Sequence, residues 1–236
     1  MRIKIAEKCL DLLFPSRCAV CDCVVGKKDD ICPECKKKLV YISPNICMKC
    51  GKEVNEREIY CYDCKRKNHQ FDKNLAVFPY PFIRKSLYRF KYAGRAEYAG
   101  FYAKAAVTRH KDEMKDWNAE AIIPVPLHKK RLRKRGFNQA EELAYSLGEI
   151  LQIPVLKNLV IRQKNTRPMK HLQASKRQNN LKKAFLIMEN DVKLNTIILV
   201  DDIYTTGATL DELSKELKSA GVSTIYSITV AIGNSL

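Results

Sequence analysis

Short apolar runs alternate along most of the chain with longer stretches in which apolar residues recur every three or four positions. The runs are typical of buried strands, and the three-to-four spacing is typical of helices with one buried face. Strands are predicted at NLAVFPYP (74–81), EAIIPVPL (120–127), NLVIRQ (158–163), AFLIM (184–188), TIILV (196–200) and STIYSITVAI (223–232). Helices are predicted at FIRKSLYRFKY (82–92), EYAGFYAKAAVTRHKDEM (97–114), NQAEELAYSLGEIL (138–151) and TLDELSKELKSAG (209–221), with a basic loop before the third.

This alternation of strands and helices predicts an α/β fold, with a mostly parallel sheet and helices on both faces. In such sheets, binding groups gather at the carboxyl ends of the strands. The first 70 residues lack the pattern and contain every cysteine of the chain. We therefore expect a small cysteine-based domain over residues 1–70, with an initial helix, and the α/β domain over residues 71–236.

Eight of the ten cysteines form four C-x-x-C pairs, and the pattern of two pairs repeats 29 residues further along the chain. Two such pairs can supply the four thiolates of a tetrahedral zinc site, which leaves no open position for catalysis. We predict two structural Zn2+ ions in a double zinc ribbon, with sequential or interleaved pairing left open. The predicted ligands are Cys18, Cys21, Cys32, Cys35, Cys47, Cys50, Cys61 and Cys64.

Disulfides and an iron–sulfur cluster are the competing interpretations of these cysteines. Disulfides require an oxidising compartment, and the start of the chain does not resemble a secretory signal. Iron–sulfur clusters usually have tighter, unequal cysteine spacing. Structural zinc is therefore favoured, and the leftover Cys9 and Cys23 are interpreted as bystanders.

The chain carries a formal charge of +17, which suggests an anionic partner. Between residues 127 and 183 there are fifteen Lys or Arg and three acidic residues, so this segment holds most of the excess positive charge. The charge fits a solvated surface, a phosphate-rich small molecule or nucleic acid. No apolar run is long enough to span a membrane, so we expect a cytoplasmic protein.

The segment IILVDDIYTTGATLDEL places Asp201 and Asp202 directly after an apolar strand. The following loop leads into a helix N-terminus and offers backbone N–H groups and hydroxyls to an anion. The acids would repel a phosphate and suit sugar hydroxyls instead. The alternative is an ordinary turn whose Thr and Asp residues only cap the helix.

ILVDDIYTTGATL resembles the phosphoribosyl pyrophosphate (PRPP) signature of type I phosphoribosyltransferases. The resemblance implies that Asp201 and Asp202 contact the ribose hydroxyls. It implies a second set of contacts, to the 5′-phosphate, from Thr205, Thr206, Gly207, Ala208 and Thr209. In a transferase of this type, Mg2+ accompanies PRPP and bridges its pyrophosphate and ribose oxygens.

Nearly the whole chain resembles the ComF family, which is linked to DNA uptake in natural transformation. The resemblance rests on the cysteine ribbons, FKYAGRAEYA, IPVPLHKKRLRKRGFNQAEELA, TRPMKHLQASKRQNNLKKAF and the PRPP signature, in this order. Two positions depart from the family pattern. Met169 stands where Gln is usual, and Lys183 stands where Gly is usual.

The resemblance assigns the basic segment PVPLHKKR to pyrophosphate, with contacts from Leu127, His128, Lys129 and Arg131. His128 is also consistent with simple surface exposure, and Arg135 with either a phosphate clamp or a solvated patch. Residues 163–180 are interpreted as a polar flap that closes over the site. A variable hood, expected within residues 71–110, would bind any base.

The sequence thus predicts a ComF-like protein that binds PRPP and acts in DNA uptake. One alternative is an active phosphoribosyltransferase acting on an unidentified base. Another is a non-catalytic module that binds single-stranded DNA and assists other DNA-uptake or helicase proteins. For that module the candidate stacking residues are Tyr88, Phe90, Tyr92, Tyr98 and Phe101, although their helical spacing is more typical of a core.

Overall fold

A computed structural model of the protein describes residues 15–163, 184–188 and 193–233. The strands are Lys73–Pro79 (β1), Ala121–Pro124 (β2), Val160–Arg162 (β3), Phe185–Ile187 (β4), Thr196–Tyr204 (β5) and Thr224–Ile232 (β6). The helices are Pro33–Lys37 (α1), Tyr62–Arg66 (α2), Tyr80–Tyr92 (α3), Tyr98–Asp116 (α4), Lys129–Arg135 (α5), Gln139–Leu151 (α6) and Ala208–Ser219 (α7). Each strand and helix predicted for the α/β domain is present.

Four strands form one sheet in the order β1-β6-β5-β2, and all three pairings are parallel. The short strands β3 and β4 pair with each other in an antiparallel ribbon. The predicted mostly parallel sheet is therefore confirmed. The candidate site residues lie at its carboxyl edge, at the ends of the neighbouring strands β2 and β5.

Successive residues of the central strands point to opposite faces of the sheet, which is the period of a β-strand. Ile198 and Val200 of β5 pack in one cluster with buried residues of α3, α4 and α6. Ile197 and Leu199 pack in a second cluster with buried residues of α7. Helices thus cover both faces, as the sequence pattern predicts.

The basic segment after β2 differs from the prediction of a loop, because residues 129–135 form helix α5. The imidazole of His128 caps this helix, with Nδ1 accepting a hydrogen bond from the Lys130 N–H at 3.2 Å. Histidine is not among the usual capping residues, so the helix start gave no clear signal in the sequence.

β5 also continues further than the predicted strand, as far as Tyr204. Its partner β6 extends equally far, with Asp201 paired to Thr229 and Tyr204 paired to Ile232. On the other side, β2 stops at the level of Val200. Asp201 and Asp202 are therefore strand residues that project beyond the end of β2, whereas the predicted strand ended at Val200.

Several predictions concern residues outside the described part of the chain. These are the initial helix with Cys9, the departures at Met169 and Lys183, and nearly all of the flap at 163–180. Within the described ranges, no helix has both the length and the apolar character needed to cross a membrane.

Candidate functional site

The second cysteine cluster lies close beside the sheet. The sulfur atoms of Cys47, Cys50, Cys61 and Cys64 all lie within 4.8 Å of one another. The Cys50 and Cys61 sulfurs are 3.6 Å apart. A zinc ion bound at about 2.3 Å by four thiolates separates neighbouring sulfurs by about 3.8 Å, so the cluster fits tetrahedral zinc.

The first cluster contains an additional thiol. The sulfurs of Cys18, Cys21, Cys23 and Cys32 lie within 4.8 Å of one another. Cys35 also hydrogen-bonds with Cys18, Cys21 and Cys32. Cys23 was predicted to be a bystander, yet its sulfur is 3.3 Å from that of Cys21. Five thiols therefore surround a site for four, and the two clusters use sequential pairs rather than interleaved ones.

Zinc binds thiolates, and in the second cluster hydrogen bonds among the thiols lower the pKa of one cysteine while they raise those of Cys50 and Cys64. Hydrogen bonds from the thiols of Cys50 and Cys64 hold the pKa of Cys47 far below its usual range, in spite of burial. Burial would raise the pKa of Cys21, but hydrogen bonds with Cys23 and its neighbours lower that pKa to about 6. All nine described cysteines are free thiols.

Asp201 and Asp202 form a partly buried acidic pair at the end of β5. Burial, followed by the charge of Asp202, raises the pKa of Asp201 from 3.8 to about 7. The Asp202 N–H donates to the Asp201 carboxylate at 2.8 Å, and Lys91 forms an ion pair with Asp202 at 2.9 Å. Two acids of different character therefore lie side by side.

The loop that follows, residues 205–209, is the predicted phosphate loop. With Asp201 and its neighbours it lines a shallow open pocket at the N-terminus of α7. Gly207 has φ 72°, a conformation that side chains disfavour, and a Cβ there would lie 2.6 Å from the Tyr204 hydroxyl. A side chain at residue 207 would therefore collide with Tyr204, so the fold itself requires glycine at this position.

The Thr206 hydroxyl oxygen is buried, and it has no hydrogen-bond partner within the described ranges. A buried polar group without a partner costs about 1 to 3 kcal/mol, so native proteins rarely leave one unexplained. At the mouth of a helix N-terminus, a bound anion would satisfy this hydroxyl. The Ser214 hydroxyl inside α7 is buried in the same way, so the Thr206 hydroxyl supports an anion site only together with the helix N-terminus and the acidic residue beside it.

The predicted pyrophosphate segment lies beside the acidic pair, because the Val125 N–H donates to the Val200 carbonyl at 2.9 Å. Leu127 and His128 are half-buried, Lys129 is exposed, and His128 acts as the cap of α5. Burial and the charge of Arg135 lower the pKa of Arg131, while Asp202 raises it. Arg131 is thus within electrostatic range of the acidic pair.

Two basic residues of the site were missed by sequence reasoning. Lys91, from the end of α3, pairs with Asp202. Arg162, from β3, is buried, and burial and Arg131 lower its pKa to about 10 against the opposing effect of Asp201. Lys91 lies in the FKYAGRAEYA stretch but was given no role there, and Arg162 belongs to no quoted motif. Each reaches the site only through the tertiary fold.

The five aromatic residues considered for stacking divide into two groups. Phe90, Tyr98 and Phe101 are buried in the core and are not available to a base. Tyr88 and Tyr92 are 64% and 51% exposed, with ring centroids 5.1 Å apart. Only the exposed pair is placed to contact a ligand.

Comparison with protein families agrees with this geometry. Residues 9–65 match the family model described as "Double zinc ribbon domain", and residues 132–235 match "Phosphoribosyl transferase domain". "Competence protein F" of Haemophilus influenzae is 46% identical over 108 residues, which are 45% of this chain and 47% of that protein. The chain is a homologue of this competence protein.

Other relatives carry related names. "Competence protein ComFC" of Bacillus subtilis is 31% identical over 150 residues, 63% of this chain and 59% of that protein. "DNA utilization protein YhgH" of Escherichia coli K12 is 34% identical over 106 residues, 45% of this chain and 46% of that protein. The chain spans about half the length of the curated relatives it matches.

Among solved structures, a purine phosphoribosyltransferase from Pyrococcus horikoshii has a TM-score of 0.34 and 18% identity. The alignment covers 56% of this chain and 73% of that one. This likeness is too weak to inform the site. The resemblance to the ComF family is confirmed by the sequence relatives and by the two family models.

Proposed function

We propose that this protein binds PRPP at the carboxyl edge of its sheet and acts in DNA uptake. Asp201 and Asp202 would accept hydrogen bonds from the ribose hydroxyls, and the phosphate loop would hold the 5′-phosphate. The role in DNA uptake is supported by the names of its homologues, which are competence and DNA utilization proteins.

The observation that carries this proposal is the phosphate loop itself. Its buried Thr206 hydroxyl has no partner in the described structure, and the loop opens a helix N-terminus beside two carboxylates. An ordinary capping turn would not explain that hydroxyl. A phosphate with an attached sugar satisfies both the hydroxyl and the carboxylates.

The pyrophosphate group of the ligand would lie toward α5. Arg131 and Arg162 both act on the acidic pair electrostatically, and Lys129 is exposed at the start of α5. Bound Mg2+ would neutralise charge on the pyrophosphate, and the carboxylates of Asp201 and Asp202 are the hard oxygen groups that suit this ion. Lys129 and Arg131 would stabilise a departing pyrophosphate.

Removal of the unpartnered Thr206 hydroxyl tests the proposal. Thr206→Val keeps the side-chain shape and removes the hydroxyl, so we expect the affinity for PRPP with Mg2+ to fall about tenfold to a hundredfold. Thr196→Val is the matched control, because Thr196 lies at the opposite end of the same strand. Equal affinity of both variants in calorimetry would refute the assignment of the loop.

Catalytic turnover is a separate part of the proposal. If a base attacks C1 of PRPP, pyrophosphate leaves and the acidic pair supports the developing positive charge on the ribose. Pyrophosphate release measured over a panel of bases tests this, with Asp201→Ala and Asp202→Ala as controls. Binding without release from any base would make the domain a sensor rather than a transferase.

A second candidate function, binding of single-stranded DNA, is favoured by the surface that α3 and α5 share. Tyr88 and Tyr92 of α3 are exposed, and the Arg135 guanidinium lies 5.1 Å from the Tyr92 ring centroid. The exposed basic residues around them are Arg84, Lys85, Lys129, Lys130, Arg133 and Lys134. Aromatic faces within a basic surface suit unpaired bases.

Removal of the exposed rings tests this second function. Each stacked base contributes about 1 to 3 kcal/mol, so Tyr88→Ala with Tyr92→Ala should weaken binding of an oligonucleotide at least tenfold at physiological salt. Tyr60→Ala with Tyr62→Ala, which removes exposed rings of the second ribbon, is the control. Equal affinity for duplex and single strand would show charge attraction alone.

The division into domains 1–70 and 71–236, the cytoplasmic location and contacts with other DNA-uptake or helicase proteins complete the proposal. Cysteines grouped as zinc ligands are typical of proteins in a reducing compartment.

A further inference from the structure

A buried polar network lies behind the phosphate loop, on the side away from the open pocket. The Lys67 ammonium donates to the Thr206 carbonyl at 3.1 Å and to the Asp211 carboxylate at 2.6 Å. His69 Nδ1 lies 3.0 Å from both oxygens of Asp211, and the Gln70 N–H donates to the same carboxylate at 3.0 Å. This network joins residues more than 130 positions apart in the chain.

Lys67 and His69 are carried by the second zinc ribbon. Lys67 is the residue that ends helix α2, and α2 contains Cys64, one of the four clustered thiols. The Lys67 N–H donates to the Asp63 carbonyl within the same turn. The position of the Lys67 ammonium therefore depends on the position of Cys64, and hence on the metal that the four thiols would hold.

The network also fills the space under the loop. His69 is buried, its ring packs against Phe71 with centroids 4.8 Å apart, and its Nε2 lies 3.4 Å from the Tyr204 hydroxyl. A Cβ added to Gly207 would lie 2.9 Å from His69 Cε1. The loop backbone therefore rests directly on the ribbon side chains, and its position follows theirs.

The charges in the network favour a fixed arrangement. Burial would raise the pKa of Asp211, but hydrogen bonds and charge from His69 and Lys67 outweigh it and lower that pKa. Asp211 is thus ionised at neutral pH, and it holds Lys67 against the loop from the first turn of α7.

The contact at Thr206 has a direct consequence for the anion site. The peptide between residues 206 and 207 is planar and trans, so its carbonyl and its N–H point in opposite directions. Because the Thr206 carbonyl points to Lys67, the Gly207 N–H points away from the ribbon, toward the side where the loop lines the pocket. Lys67 thereby orients a donor for the 5′-phosphate.

We propose that Lys67 is a positioning residue that couples the second zinc ribbon to the phosphate loop, so that metal and phosphoribosyl ligand bind cooperatively. This inference rests on the proposed binding of PRPP. Cooperativity of this kind is reciprocal: the metal strengthens binding of the ligand, and the ligand protects the metal site by the same factor. The first ribbon packs against α3 and α4 instead, and not under the phosphate loop, so it should respond to the ligand less than the second ribbon does.

The first test compares two lysine substitutions in the same ribbon. Lys67→Met should weaken PRPP binding about tenfold at unchanged zinc content, within the usual range of couplings. Lys67→Arg, which retains a cationic donor, should recover part of the loss. Lys65→Met is the matched control, because Lys65 forms its ion pair with Glu58 at 2.7 Å, away from the loop.

The second test starts from the wild-type chain. A zinc-selective chelator and an alkylating reagent are applied to the full chain, and mass spectrometry follows modification of each cysteine. PRPP with Mg2+ should slow modification of Cys47, Cys50, Cys61 and Cys64 several-fold, and leave Cys18, Cys21 and Cys32 unchanged. Lys67→Met should abolish this protection, which a merely structural loss of stability in both ribbons would not do.

The outcomes separate the two proposals. If the wild-type chain binds PRPP, and Lys67→Met binds it equally well or both ribbons are protected alike, the coupling is refuted while PRPP binding stands. If the wild-type chain does not bind PRPP at millimolar concentration, both proposals are overturned.

Discussion

Asp201 and Asp202 are neighbours in the chain, but the structure gives their carboxyl groups different properties. Lys91 compensates Asp202 directly through an ion pair. Asp201 is desolvated and faces the charge of Asp202, which raises its pKa to about 7. The sequence identifies both acids as candidates through the signature. It does not reveal this asymmetry, because Lys91 and Arg162 reach the site from distant segments.

Asp201 should make stability and affinity depend on pH in opposite ways. Its folded pKa of about 7 exceeds the ordinary value of 3.8, so stability that is present below pH 3.8 is lost as pH rises toward 7. Asp201→Asn stays neutral and should be more stable than wild type at pH 8, on the order of 2 kcal/mol, with a smaller difference at pH 5. Denaturant unfolding at both values measures this.

The pH dependence of PRPP binding should have the opposite sign to that of stability. Ribose hydroxyls donate to an ionised carboxylate, so the affinity of the wild type for PRPP should rise as pH increases through 7. Asp201→Asn should bind more weakly and lose most of that dependence. A stability difference that is the same at pH 5 and pH 8 would show that the pKa of Asp201 is not raised.

At the scale of elements, the strand β5, the phosphate loop and helix α7 form one unit that sequence reasoning recovered almost completely. The apolar run, the acids and the loop follow one another in the order that the signature requires. Two details were wrong: the acids belong to the strand, and residues 129–135 form a helix. The length of β5 depends on its partner β6, and the start of α5 depends on the cap at His128. The spacing of apolar residues shows neither.

Gly207 gives a test of this unit. Gly207→Ala places a side chain at φ 72° and against Tyr204 and His69. We expect a loss of about 1 to 2 kcal/mol from the backbone conformation and a further loss from the displaced rings. Gly94→Ala is the control, because Gly94 has φ 68° with no atom within 4 Å of the added carbon. Equal costs in thermal unfolding would contradict the packing of ribbon residues under the loop.

At the scale of the whole molecule, the two ribbons pack against different parts of the α/β domain. The first contacts α3 and α4, through Arg89 and the Tyr98 hydroxyl, which lies 2.5 Å from Asp22. The second lies at β1 and behind the phosphate loop, where the Asn74 amide donates to the Cys50 carbonyl at 2.9 Å. Cysteine spacing predicted both ribbons, but where they pack could not be predicted, because those contacts come from single polar side chains whose partners the sequence does not show.

Zinc should therefore stabilise more than the ribbons. Cys50→Ser breaks the second cluster, whose cysteines share a core with Phe71 and Tyr204, so we expect one zinc ion fewer and a thermal transition lower by about 10 °C. Cys23→Ser should keep both ions if Cys35 is the fourth ligand of the first site, as the cysteine spacing predicts. Zinc content by native mass spectrometry and a thermal scan measure both. Loss of an ion in Cys23→Ser would identify Cys23 as a ligand.

The central claim is that the edge of the sheet at Asp201, Asp202 and the phosphate loop binds a phosphorylated ribose. Calorimetric titration of the wild-type chain with PRPP in the presence of Mg2+ tests it most directly, with Asp202→Asn and Thr206→Val measured alongside. We predict one site per chain, with binding weakened in both variants. Absence of binding at millimolar PRPP, or equal binding by all three proteins, would contradict the claim.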